Sequence, residues 1–133
     1  MSQIILIVED KKDEQIIAKQ AVLDSGSKII IADTLNKAED FIEKFGNKLS
    51  GIITDIHLPV HDDINAEGAN GLSVVITALH RGIPCAVCTD DISHGAKYVS
   101  LVLERLETFT SEQIPVSGSK DWYEALQALL TII

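Results

Sequence analysis

Short apolar runs alternate along this chain with longer segments in which apolar residues recur at helical spacing. The short runs cover 4–8, 28–32, 51–54, 84–88 and 113–116. They are too short for typical helices and most contain β-branched residues, so they predict strands. Because the first run is apolar throughout, we expect it to be covered on both faces.

The longer segments predict helices with one apolar face each. The first helix is expected over 11–24, with Ile16, Ile17, Ala21 and Leu23 among its buried positions. The remaining helices are predicted to begin after Asp33 or Thr34, at Gly71, near Ser93 and close to Trp122. Glycines directly after the first three helical segments are typical of helix ends.

Five strand–helix units in strict alternation predict an α/β fold. The expected architecture is a doubly wound, five-stranded parallel sheet in the order 2-1-3-4-5, with helices on both faces. We expect a single domain over 1–133, long enough to bury a core. In such sheets ligands bind beyond the carboxyl ends of the strands, where strand order reverses. That point lies between strands one and three.

Chemically active side chains follow four of the predicted strands. They are Glu9 and Asp10 after strand one, Asp55 after strand three, Thr89 after strand four and Lys120 after strand five. Three neighbouring carboxylates are unfavourable without a cation, and a hard divalent ion such as Mg²⁺ suits their oxygens. The Thr89 hydroxyl and the Lys120 ammonium suit phosphate oxygens.

These residues resemble the motifs of response-regulator receiver domains, the CheY-like family with a flavodoxin-like three-layer sandwich. The similarity covers essentially the whole chain. It consists of the apolar run into Glu9-Asp10, the segment Asp55-Ile-His-Leu-Pro59, the Asn70-Gly71-Leu72 start of the third helix, Thr89 and Lys120.

The resemblance implies a phosphoacceptor of a two-component phosphorelay rather than a conventional enzyme. Asp55 would accept a phosphoryl group from a histidine kinase or histidine phosphotransfer protein. Glu9, Asp10 and Asp55 would hold Mg²⁺, Thr89 would contact the phosphoryl group, and Lys120 would pair with it. A downstream protein partner would bind the face formed by helix 4, strand 5 and helix 5. We expect a stand-alone receiver without an effector domain, whose output is protein contact or phosphate relay.

Two segments are longer than the family pattern. The loop 60–70 carries His61, Asp62, Asp63 and Glu67 close to the expected site. It is either a solvated surface loop or a lid or additional ligand that modulates access of Mg²⁺ or the kinase. A second insertion is expected near 107–112, at the end of the fourth helix.

Three further positions depart from the family pattern. Asp90 follows Thr89 where a small residue is usual, Asp121 follows Lys120 where proline is usual, and Ser117 replaces an aromatic residue. Asp90, Asp121 and the two insertions leave open a pseudo-receiver that signals without phosphate. A haloacid-dehalogenase-type phosphatase or flavodoxin-like enzyme fits poorly, because Glu9-Asp10-Lys11-Lys12 matches neither pattern and two acids would repel a phosphate there.

Composition narrows the classes of partner. With 20 acidic and 11 basic residues the formal charge is −9, which argues against direct binding to nucleic acid or anionic membrane. No apolar run reaches membrane-spanning length, so no membrane insertion is expected. Cys85 and Cys88 are the two cysteines, and so few suggest a reducing, cytoplasmic setting. Their spacing on a strand places them on opposite faces rather than as a redox pair.

Overall fold

The computed structural model describes residues 3–62, 68–90 and 97–133, and within them strands and helices alternate. In chain order the elements are β1 (Ile4–Val8), α1 (Lys12–Asp24), β2 (Lys28–Ala32), α2 (Leu35–Phe45), a 3₁₀ turn (Gly46–Lys48), β3 (Gly51–Thr54), α3 (Gly71–Arg81), β4 (Cys85–Cys88), α4 (Lys97–Thr110), β5 (Val116–Ser117) and α5 (Trp122–Ile132).

The strands form one parallel sheet in the order β2-β1-β3-β4-β5, which confirms the predicted topology. The central strand β1 pairs with β2 on one side and β3 on the other, with Val8 opposite both Ala32 and Thr54. The carboxyl ends of β1 and β3 therefore lie side by side. This is the position at which the sequence predicted the site.

Two apolar clusters lie on opposite faces of the sheet. The larger one is formed with α2, α3 and α4 and contains bulky residues such as Ile42, Val75 and Leu103. The smaller one is formed with α1 and α5 and contains Ala18 and Trp122. Each face of the sheet is thus covered by helices, which explains why the strands are apolar without alternation.

The cysteines of β4 follow the predicted separation. Cys85 belongs to the larger cluster and Cys88 to the smaller one, and both are free thiols. Burial raises the pKa of the Cys85 thiol to about 12, as expected for an inert core residue.

Helix α1 corrects part of the sequence prediction. Its buried residues are Ala18, Ala21 and Val22, whereas Ile16, Ile17 and Leu23 are exposed to 70%, 45% and 47%. Only Ala21 of the four expected positions is buried. The reason is that α1 packs through small residues, which brings its backbone close to the sheet and turns the larger side chains outward.

Boundaries near the carboxyl-terminal strands also differ. The fifth strand was predicted over 113–116 but is confined to Val116–Ser117, since Pro115 has no N–H to donate to a ladder. The fourth strand begins one residue later than predicted, after Pro84. The predicted start of the fourth helix near Ser93 lies outside the described residues, and α4 is described over Lys97–Thr110.

The described parts of the 60–70 insertion are attached to the rest of the fold. The Leu58 N–H donates to the carbonyl of Gly68 at 3.2 Å, closing the loop as an isolated antiparallel bridge. Asp63 and Glu67, expected in this loop, lie outside the described residues. Among described helices, none is long and apolar enough to cross a membrane.

Candidate functional site

The sheet itself positions the site residues. Glu9, Asp55 and Thr89 each follow a strand directly and each extends the ladder by one backbone hydrogen bond. The acceptors are the carbonyls of Ala32, Val8 and Ser117, at 3.0, 3.0 and 2.9 Å. Because these strand ends are hydrogen-bonded into the buried sheet, the three side chains have fixed starting positions. They all lie at the same edge of the sheet.

Lys120 joins two of these residues through its side chain. Its Nζ donates to Asp55 Oδ2 at 2.6 Å and to Glu9 Oε2 at 3.0 Å. The side chains are almost completely buried, with 12% of Lys120, 6% of Asp55 and 0% of Glu9 exposed. The sequence predicted these residues at one site. It did not predict that Lys120 contacts Glu9 as well as Asp55.

Burial and mutual charge shift the acid–base properties of this group. Burial, followed by the negative charge of Asp55, raises the pKa of Glu9 to about 8 although Lys120 acts in the opposite direction. Burial alone would lower the pKa of Lys120, but its hydrogen bonds and charge pairing with Asp55 and Glu9 outweigh this and raise it. Lys120 is therefore charged at every physiological pH.

The three predicted metal ligands come together. Oxygens of Glu9, Asp10 and Asp55 all lie within 4.8 Å of one another. Glu9 Oε1 and Asp10 Oδ1 are buried and have no hydrogen-bond partner among the described residues. A buried carboxylate oxygen without a partner is costly, and a cation with oxygen ligands removes that cost. The donor set thus fits a hard divalent cation such as Mg²⁺.

Backbone groups of neighbouring residues also hold Asp55 in place. Its Oδ1 accepts from the Ile56 N–H at 2.7 Å, and the Ile56 carbonyl accepts from the Gly71 N–H at 2.8 Å. A Cβ at Gly71 would lie 1.9 Å from the Asp55 carbonyl oxygen. The start of α3 therefore packs directly on the Asp55–Ile56 peptide, and only glycine fits there.

Thr89 completes the predicted set. The residue is fully buried, and its Oγ1 has no hydrogen-bond partner among the described residues. An unpaired hydroxyl at a strand end beside Lys120, whose N–H donates to the Thr89 carbonyl at 3.0 Å, is suited to an incoming oxygen ligand. The neighbouring Asp90 is exposed. Two further polar residues of the segment after β4, Asp91 and His94, lie outside the described residues.

The sequence did not predict the hydrogen bonds and the aromatic contact that hold these residues in place. The Gln15 Nε2 donates to the Glu9 carbonyl at 2.7 Å, and the Trp122 Nε1 donates to Glu14 Oε1 at 2.8 Å. Trp122 also lies under Lys120, with Nζ 5.7 Å from the ring centroid. Helix periodicity contains no signal for such long-range contacts, although the position of Trp122 two residues after Lys120 was an available clue.

A cavity in the described part of the chain lies away from these residues. It measures about 380 Å³ and is lined by residues including Cys85 and Glu112. Because Cys85 begins β4 whereas Thr89 follows it, the cavity is at the opposite end of the sheet from the acidic cluster. The reactive side chains lie in the acidic cluster and do not line this cavity.

Comparison with solved structures shows proteins of the same fold. A signal receiver domain from Vibrio parahaemolyticus has a TM-score of 0.70 and 22% identity, covering 98% of this chain and 89% of that one. The HemR receiver domain from Leptospira biflexa has a TM-score of 0.69 and 17% identity, with 98% and 94% covered. The chemotaxis response regulator CheY4 of Vibrio cholerae has a TM-score of 0.70 and 15% identity, with both chains covered completely at 100%.

The chain therefore has the fold of response-regulator receiver domains over nearly its entire length, as the sequence resemblance predicted. No protein-family model matches the sequence, and no curated protein matches it. At identities of 15–22% these similarities establish the fold. The roles of individual residues have to be argued from the site itself.

Proposed function

We propose that the protein is a phosphoacceptor of a two-component signalling pathway, phosphorylated on Asp55 with Mg²⁺. One observation carries the proposal. At the carboxyl edge of the receiver fold, Asp55 lies between Lys120, which donates to it at 2.6 Å, and two further carboxylates. Each of these two has an oxygen without a partner among the described residues. This arrangement brings a carboxylate nucleophile, a cation ligand set and a fixed positive charge together.

The reaction would be a displacement at phosphorus. A carboxylate oxygen of Asp55 attacks, forming an acyl phosphate, while the bond between phosphorus and the donor's leaving group breaks and its electron pair leaves with that group. Lys120 would neutralise charge on the phosphoryl oxygens, and the Thr89 hydroxyl would donate to one of them. Mg²⁺, held by Glu9, Asp10 and Asp55, supplies further charge neutralisation when bound.

The phosphorylated state would act through protein contacts. The phosphoryl donor would be a histidine kinase or histidine phosphotransfer protein, and the output would use the face of α4, β5 and α5. Attraction between the phosphoryl group and Thr89 would move the segment after β4, as in other switches driven by a new charge. A single domain over 1–133 in the cytoplasm stays a prediction.

The test is incubation with Mg²⁺ and a small acyl-phosphate donor such as acetyl phosphate, followed by intact-mass measurement. One phosphoryl group should be added, and Asp55→Asn should abolish it. A protein that stays unlabelled, while a receiver domain of known reactivity is labelled alongside it, contradicts the proposal.

The alternative of a pseudo-receiver rests on Asp90, Asp121 and the insertions. Titration with Mg²⁺ followed by Trp122 fluorescence separates the two proposals, because Trp122 contacts Lys120 at the site. A saturating signal that is lost in Asp10→Ala favours the phosphoacceptor. The absence of any Mg²⁺-dependent signal favours the pseudo-receiver.

A further inference from the structure

Lys120 is held in an unusual backbone conformation. Its φ of 57° is left-handed, which is unfavourable for a residue with a Cβ. Two hydrogen bonds fix the turn: the Lys120 N–H donates to the Thr89 carbonyl at 3.0 Å, and the Asp121 N–H donates to Ser117 Oγ at 3.2 Å. The turn aims the side chain back over the sheet edge toward Asp55. Asp121 and Ser117, two positions that differ from the family pattern, thus both belong to the turn that holds Lys120.

The tip of Lys120 lies against the indole of Trp122. Nζ is 5.7 Å from the ring centroid, within the range of a cation–π contact. Trp122 is only 1% exposed, so the contact is shielded from water. An aromatic face below the ammonium restricts it to the side on which Glu9 and Asp55 lie.

The orientation of the ring depends on α1. The Trp122 Nε1–H donates to Glu14 Oε1 at 2.8 Å, which connects the first turn of α5 to the first turn of α1. In the described part of the structure, Glu14 makes no hydrogen bond or ion pair with Lys120, Asp55 or Glu9. Glu14 is connected to Lys120 through the indole ring of Trp122.

We propose that Glu14 is a positioning residue: through its hydrogen bond to Trp122 it fixes the indole that holds the Lys120 ammonium between Glu9 and Asp55. The expected effect on Asp55 phosphorylation rests on the proposed function. The expected effect on the Lys120 ammonium does not. Helix α1 thereby influences how readily Asp55 is phosphorylated without contacting the phosphoryl group.

Glu14 permits a clean test because it is half-exposed on a helix, where substitution leaves the core intact. Glu14→Ala removes the hydrogen bond. Glu14→Gln removes the charge but keeps an oxygen acceptor for the indole. Tyr123→Phe is the matched control, since it removes the other hydrogen bond between α5 and α1, from Tyr123 Oη to Asp24 Oδ2 at 3.2 Å, without touching Trp122 or Lys120.

Two measurements apply to each variant. The first is the ¹H–¹⁵N spectrum of the Lys120 ammonium without phosphate donor, which reports its hydrogen bonding through proton exchange. The second is the rate of Asp55 phosphorylation by acetyl phosphate. We expect Glu14→Ala to accelerate ammonium proton exchange and slow phosphorylation, each by roughly three- to tenfold, the effect of losing a partly desolvated cation–π contact. Glu14→Gln and Tyr123→Phe should match wild type in both.

The proposal is overturned if Glu14→Ala leaves either measurement unchanged, or if Glu14→Gln changes both as much as Glu14→Ala does, which would mean that charge alone matters. It is also overturned if Tyr123→Phe matches Glu14→Ala, because helix docking in general would then explain the effect. If the wild-type protein is not phosphorylated at all, the proposed function fails, and the ammonium spectrum alone decides the positioning role.

A double variant tests the route through the ring. In Trp122→Phe the aromatic face remains but the N–H donor is gone, so adding Glu14→Ala should change the ammonium exchange rate less than twofold further. A full additional effect of Glu14→Ala in that background would contradict the proposed route.

Discussion

Two lysines of this protein each bridge two carboxylates, and their surroundings give these bridges different roles. Lys120 binds Asp55 at 2.6 Å and Glu9 at 3.0 Å, with at most 12% of any of these side chains exposed. Lys37 contacts Asp33 at 2.8 Å and Asp62 at 3.2 Å, with 35–65% of these side chains exposed. The charges and distances are nearly the same in the two bridges, but the access of water is not.

Burial decides what each bridge does. Around Lys120 the charges are not screened, so they shift each other's pKa and leave oxygens with no partner among the described residues. Around Lys37 water screens the charges, and the bridge mainly connects the insertion to α2. There the backbone adds to the attachment, because the carbonyls of Pro59 and Val60 accept from the first two N–H groups of α2 at 3.0 Å each.

The largest effect is expected from Lys120→Met. Removing the cation leaves the Glu9 and Asp55 carboxyl groups buried against each other, which should lower the free energy of unfolding by about 3 kcal/mol at pH 7. Urea denaturation measures this, and millimolar Mg²⁺ should restore part of the loss. A variant as stable as wild type without Mg²⁺ would show that the buried bridge does not stabilise the fold.

A smaller loss is expected from Gly71→Ala, which disturbs the buried bridge by geometry rather than charge. The added Cβ would meet the Asp55 carbonyl oxygen at 1.9 Å, so the Asp55–Ile56 peptide has to shift, at about 2 kcal/mol. Gly68→Ala is the control, because its Cβ would have ordinary contacts of 3.7 Å or more with Asn70. Equal stability of the two variants, measured by thermal unfolding, would contradict the close packing at Gly71.

The pH dependence of stability should change in Glu9→Gln. The folded-state pKa of Glu9 is raised from 4.5 to about 8, so in the folded protein this group keeps a proton that the unfolded chain has released. Its contribution to stability is complete below about pH 4.5 and is lost as the pH rises through about 8.

Metal-free wild type should therefore lose stability between pH 5 and pH 8 relative to Glu9→Gln. Urea unfolding at several pH values in the presence of a chelator measures the difference. Mg²⁺ should reduce the slope of the wild type, because the ion binds the ionised carboxylate. Parallel pH profiles of the two proteins would argue against a raised pKa at Glu9.

The smallest effect is expected from Lys37→Met. Since the exposed bridge is screened, the midpoint of urea unfolding should stay within experimental error of wild type at physiological salt. Any difference should appear at low salt and disappear as salt is added. A salt-independent loss comparable with that of Lys120→Met would remove the distinction between the two bridges.

Much of the fold could be predicted from the sequence because its elements differ in period. The apolar run 4–8 and the helix ends at Gly46 and Gly82 have local causes, and the alternation of strands and helices predicts a parallel sheet with few possible strand orders. Helix α1 was harder, since packing through Ala18 and Ala21 depends on the distance between helix and sheet. Periodicity favoured Ile16 as a buried residue because it ranks side chains by hydrophobicity and ignores their size.

The residues of the candidate site could be predicted for the same topological reason. A parallel sheet brings strand ends together, so Glu9, Asp55 and Lys120 were expected to meet. Their pairing could not be predicted, because the Lys120–Glu9 contact depends on a left-handed backbone at Lys120. The Glu14–Trp122 contact joins residues from the two ends of the chain, and no local pattern indicates it.

The most direct test of the central claim is the phosphorylation of Asp55. Incubation of the intact protein with Mg²⁺ and acetyl phosphate should add one phosphoryl group that is labile to hydroxylamine, as an acyl phosphate is. The group should be absent from Asp55→Asn and should depend on the metal. Labelling that persists in Asp55→Asn, or no labelling when a reactive receiver domain is labelled in parallel, would contradict the account.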